Sequence, residues 1–128
     1  MKKVAFAVVA LFPLFALSGC GKDNYESLRK QQVATVKEAA DLLATIKDKE
    51  TAEKAKPRLK QLGDRWRDLQ KRMDALPSPS AEEEARTKRL YEDEFNGARG
   101  RFLAESIRVA FVPGGKEALQ EMGEIIKK

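Results

Sequence analysis

Eight residues, Ala52, Ala55, Leu59, Leu62, Trp66, Leu69, Met73 and Leu76, recur at alternating steps of three and four without exception. A strand turns successive side chains to opposite faces, so this spacing excludes a strand and lines all eight along one side of a helix, as an a/d heptad seam. An apolar seam is stable only when another element covers it, which makes the whole chain a candidate for a helical bundle. Pro57 falls at an f position, opposite the seam, where the carbonyl that it leaves unpaired faces water. A bent helix starting at Thr51 and a short turn before a helix starting at Pro57 both satisfy the pattern. Within the polar break Asp48-Lys49-Glu50-Thr51, Thr51 is the favoured N-cap.

The flanking segments supply partners for the seam. From Asp23 to about Lys47, Tyr25, Leu28, Val36, Ala39, Leu43 and Ile46 recur at helical spacing with no Pro or Gly between them. Pro77-Ser78-Pro79-Ser80 is a linker, since two prolines in four residues cannot continue a helix, and Ser80 opens a capping box with Glu83. Glu82, Glu83 and Glu84 sit where the dipole of the following helix favours acids. That third helix is predicted from Ala81 towards Val112, with Tyr91, Phe95, Ala98, Phe102 and Val109 on one stripe. Its weak point is Asn96-Gly97-Ala98-Arg99-Gly100, where each interior glycine costs about 1 kcal/mol relative to alanine. Either the helix breaks there or, the favoured reading, the small residues let a neighbour cross closely. Pro113-Gly114-Gly115 ends the helix, and Lys116 to Lys128 form a short last one carrying Leu119, Met122, Ile125 and Ile126. Its charges balance, which favours docking on the bundle over lying on a membrane. The expected fold is all-α, an up-down bundle of three long helices plus a short C-terminal helix.

The first twenty residues follow a different logic. Lys2 and Lys3 precede an apolar run from Val4 to Leu17, too short for a membrane span of roughly 20 residues but suited to a secretory leader. Leu17-Ser18-Gly19-Cys20 resembles the lipobox of bacterial lipoprotein precursors. The resemblance implies that the Cys20 sulfur receives a diacylglycerol and that the leader is cut just before it. Residues 1–19 are then a signal peptide, 20–24 a lipidated tether and 25–128 the helical bundle domain. Acyl chains contribute about 0.8 kcal/mol per buried CH₂, so two hold the chain to a membrane stably. Lipidation also accounts for a lone Cys in an exported chain, where an unpaired thiol is otherwise out of place. Gly21 after the Cys, where an inner-membrane retention signal would be Asp, favours the periplasmic face of the outer membrane over the inner membrane. The mature part, with its D-x-x-T-A-x-x-A-x-P-x-L segment from Asp48, resembles segments of uncharacterised small helical bacterial envelope proteins and implies no activity.

Chemistry is scarce. The chain has no His, which removes the commonest general base and most metal sites, and no Gly-rich phosphate loop. No catalytic residue, metal or cofactor is expected, and the chain is read as not an enzyme. Trp66 with the Phe95/Phe102 pair is the one candidate ligand pocket, although aromatics on an apolar stripe more commonly form core. Loss of Lys2 and Lys3 with the leader lowers the formal charge from +5 to +3. Residues 49–76 hold nine basic and five acidic residues. Arg58, Arg65 and Arg72, all at g, are expected to pair with Glu92, Asp93, Glu94 or Glu105 of the third helix. Lys60, Arg67 and Lys71, at the outward b and f positions, are the candidate patch for an anionic partner such as phospholipid headgroups, a cell-wall polymer or an acidic protein. Two function classes follow: a membrane-anchored structural or adaptor lipoprotein facing the periplasm, or a periplasmic ligand-binding or chaperone-like module. An envelope location makes nucleic acid an unsuitable partner despite the basic pI.

Overall fold

Asn24 accepts a hydrogen bond from the Ser27 backbone N–H at 2.7 Å, and this N-cap starts the first helix, α1 (Tyr25–Ala44). The computed structural model describes residues 23–123, and these are all helix and connecting turn. The leader, Cys20, and Ile125 and Ile126 of the expected last helix lie outside the described residues. The second helix, α2 (Lys49–Asp74), is capped by Asp48 and not by Thr51. The Asp48 carboxylate accepts from the Thr51 N–H at 2.8 Å, while the Thr51 hydroxyl accepts from the Asp48 N–H at 3.0 Å. Thr51 is the reciprocal member of a capping box, a role that a spacing of three between two cap-competent residues permits for either. Helix α2 then runs through Pro57 without a break, and Pro57 is exposed, so the unpaired Glu53 carbonyl costs no buried hydrogen bond.

Ser80 caps the third helix, α3 (Ala81–Ala110), through the Glu83 N–H at 3.1 Å. It is continuous across Gly97 and Gly100, and a Cβ built at either meets nothing within 4 Å. The expected close crossing is therefore absent at both, because they point away from the core. The last helix, α4 (Gly115–Met122), stops at Gly123, whose φ of 70° suits glycine and breaks the helical path. It docks as expected, burying Ala118 and Met122.

Ion pairs fix the helix directions. Arg72 at the end of α2 donates through Nε to Asp23 at 2.9 Å, and Arg65 through Nη1 to Glu38 at 2.9 Å, so α2 runs antiparallel to α1. Arg86 pairs with Glu26 at 3.0 Å and Lys37 with Glu94 at 3.5 Å, so α3 runs parallel to α1. Arg58, Arg65 and Arg72 thus serve α1, through Glu38 and Asp23, and not α3 as the register suggested. The reason is packing: no Cα of α2 lies within 8 Å of one in α3. Helix α1 separates them on one side and α4 on the other, with the four helices at the corners of a bundle. Arg108 of α3 closes the far end, its Nη1 donating to the Ile46 carbonyl and its Nη2 to the Leu43 carbonyl, both at 2.8 Å. The guanidinium fork adds donors to carbonyls at the end of α1, where the Leu43 carbonyl also accepts from the Ile46 N–H at 3.0 Å.

The core joins all four helices through Leu43, Ile46, Leu59, Leu62, Phe102, Val109 and Met122. One close contact between helices is unannounced by any apolar pattern. A Cβ on Gly63 would lie 1.9 Å from the Met122 carbonyl oxygen, so α4 approaches α2 backbone to backbone. Gly63→Ala is expected to displace α4 and cost about 1–3 kcal/mol in chemical denaturation, the usual range for overpacking. An unchanged midpoint would show that α4 does not rest on Gly63.

Candidate functional site

Helix α4 has eight residues, about 12 Å of length, beside the 26 residues and about 39 Å of α2. It fills its corner only from Gly114, which packs near Lys49 and Ala52, down to Met122 at Gly63. Below that level the corner between α2 and α3 is open as a cleft of about 390 Å³. Helix α1 provides Tyr25 and Arg29 as its floor, α2 provides Trp66 and Gln70, and α3 provides Thr87, Phe95 and a charged rim of Glu84, Lys88, Glu92 and Arg99. The half-buried state of Met73 and Leu76 has the same cause, since the end of the seam faces no fourth helix.

Three features mark this cleft. The Trp66 ring lines it while only 8% exposed. The Arg29 guanidinium sits 4.3 Å from the Phe95 ring centroid and donates through Nη1 to Gln32 Oε1 at 3.2 Å, held by the ring face with no carboxylate partner among the described residues. Thr87 is 2% exposed, and its hydroxyl has no hydrogen-bond partner among the described residues. A buried hydroxyl left unpaired costs about 1–3 kcal/mol, and the Ser106 hydroxyl of the same helix is buried and unpaired in the same way. Of the three aromatics expected to form a pocket, Trp66 and Phe102 both belong to the buried core, Trp66 and the half-buried Phe95 line the cleft, and Phe102 does not reach it.

Lys60, Arg67 and Lys71 are all exposed on the outer side of α2. Arg67 is ion-paired with Asp64. Asp64, Asp68 and Asp74 share that side of the helix, so the three bases stand among three acids and the strip carries no net charge. Sequence spacing identified the bases correctly as outward; the charge count over residues 49–76 included the aspartates without placing them among the bases. No group of His, Cys, Asp and Glu among the described residues is placed to hold a metal, and no described helix is long and apolar enough to cross a membrane.

A second unsatisfied surface lies on the other side of α3. Ile107 is 65% and Phe111 85% exposed, with Leu90 and Leu103 also exposed, on the face that carries Gly97 and Gly100. No family model matches the chain, and comparisons with curated proteins and with solved structures return no match.

The pole where the cleft opens is held by Asp23 and Arg72. Hydrogen bonds from Arg72, opposed by partial desolvation, hold the Asp23 carboxyl below its ordinary value. A lowered carboxylate pKa stabilises the fold above the unfolded value, and that contribution is lost as pH falls through the folded one. Acidification below about pH 4 is therefore expected to loosen this pole, and Asp23→Asn to flatten that part of the thermal midpoint's pH profile. An unaltered acid limb in Asp23→Asn would contradict the pairing.

Proposed function

We propose that the chain is an exported lipoprotein, held at a periplasm-facing membrane surface through Cys20, whose bundle acts without catalysis as an adaptor. Its docking site is the open corner, which receives a helical segment of another envelope protein. The observation that carries this reading is the short α4, eight residues beside the 26 of α2, which leaves the lower part of a four-cornered bundle without a fourth helix among the described residues. From Gly63 to Asp74 the opening is about 16 Å long, enough for three turns of helix. Tyr25, Trp66 and Phe95 are the aromatic part of a lining that is otherwise mainly polar, and the mixed charges of the rim suit the polar flanks of an amphipathic segment. Tyr25 lies five residues from Cys20, so a partner seated here is a juxtamembrane one.

The unpartnered Thr87 hydroxyl supports a second reading, a module holding a small amphiphile in the same cleft. The two differ in what fills the space. A small-molecule site takes up an apolar dye in the purified protein and yields no protein adduct in cells, whereas an adaptor yields the adduct.

Cys20→Ala is expected to abolish palmitate incorporation and leave an uncleaved precursor. A photocrosslinking residue at Gln70 or Asn96, both lining the cleft, is expected to give one discrete protein adduct in membranes, and the same residue at Lys54 none. Undiminished palmitate labelling of Cys20→Ala would overturn the anchor. Equal adducts at Lys54 and Gln70 would overturn the docking site.

A further inference from the structure

Helix α3 is apolar on two sides. Its inner stripe of Ala98, Phe102 and Val109 is buried in the core. On the opposite side, at the same helical spacing, stand Leu90, Gly97, Gly100, Ala104, Ile107 and Phe111, all exposed. A helix that carries apolar stripes on opposite sides is normally covered on both. The two glycines sharpen the point, because alanine would fit at either without touching anything and would favour the helix. Nothing within the folded chain requires a bare backbone there. A second helix crossing at close range does.

We propose that this face pairs with the same face of a second copy of the chain, the two α3 helices running antiparallel and crossing at Gly97 and Gly100. The register follows from the sequence. In a heptad frame with Leu90, Gly97, Ala104 and Phe111 at a, and Asp93, Gly100 and Ile107 at d, antiparallel packing sets each a against a d of the other copy. Gly97 then meets Gly100 of the second copy, Ala104 meets Asp93 and Leu90 meets Ile107, giving a backbone-close centre, a small mixed layer on each side of it and an apolar layer beyond.

Charge selects the partner and the direction. Apart from the charges on the cleft rim, residues 81–96 carry Glu82, Glu83, Asp93 and Glu94 against Arg86 and Arg89, whereas 99–110 carry Arg101 and Arg108 against Glu105. Antiparallel pairing lays the acidic half of each helix along the basic half of the other, and parallel pairing lays like on like. At the flanking e positions the same register sets Glu94 opposite Arg101. Both are exposed and engaged only in surface pairs, with Lys37 and Asp41, so they are free to exchange partners. Because the copies run in opposite directions, their Tyr25 ends lie at opposite ends of a rod about 45 Å long.

The test uses two full-length copies with different affinity tags, co-expressed and purified from membranes through one tag. Wild-type copies are expected to co-purify. Gly100→Leu, which meets no atom of its own chain, is expected to reduce co-purification at least tenfold without lowering the thermal midpoint. Glu94→Arg alone and Arg101→Glu alone are each expected to weaken pairing, since each sets like charges together. The double variant in one chain restores opposite charges across the interface while breaking both intrachain pairs, and is expected to recover co-purification. Failure of wild-type copies to co-purify, undiminished pairing of Gly100→Leu, or a double variant as weak as the singles would each overturn the proposal. In the first case the face meets a different protein or a lipid surface.

Discussion

Helix α1 has an apolar arc too wide for one neighbour, and the rest of the bundle is arranged around that fact. Leu28, Val33, Val36, Ala39, Ala40 and Leu43 are all at most 1% exposed, and Gln32 and Thr35 are buried beside them. Covering such an arc takes one helix on each flank. Helix α2 takes one flank antiparallel and α3 takes the other in parallel, so α2 and α3 stand diagonally apart. Their separation creates a fourth corner that some element has to cover. Helix α4 covers the upper part because Gly63 and Gly115 each admit a backbone carbonyl where a methyl would clash.

The same arrangement explains which parts of the fold were legible in the sequence. The seam from Ala52 to Leu69, the Pro77–Ser80 linker and the stripe of α3 were legible because hydrophobic period and proline chemistry act locally. The glycines misled. Gly97 and Gly100 stand on an apolar helix and suggested a crossing within the chain, but they face outward, whereas Gly63, on a polar-looking stretch beside Leu62, makes the real approach. Which residues surround a glycine is set by tertiary packing, and a single sequence carries no record of it. The arginines at g failed similarly: heptad position shows that they reach a neighbour, but not which neighbour. Thr51 was misassigned by one step of a capping box whose two members are chemically interchangeable.

Of the candidate site, the aromatic character was legible and the opening was not. Trp66 and Phe95 read as core from their spacing; Trp66 is a buried member of the core and Phe95 packs half-buried against it, and both also border the cleft. Among the described residues the cleft is open because α4 stops at Gly123. The absence of His, by contrast, bears on chemistry from composition alone, and the reading as an adaptor uses shape and hydrophobic burial in place of reactive groups. The proposed Cys20 anchor stands five residues before Tyr25, at the pole where the cleft opens.

Residue-resolved amide hydrogen exchange tests this account most directly, since protection reports how much of the packed structure must open to release each amide. If α1 is the shared wall, its amides from Val36 to Leu43 exchange most slowly, at the rate set by global unfolding. The last two turns of α2 and the first two of α3, which border the open corner, exchange faster than the parts of the same helices beside α4. Faster exchange in α1 than in α2 or α3, or uniform protection along α2, would contradict it.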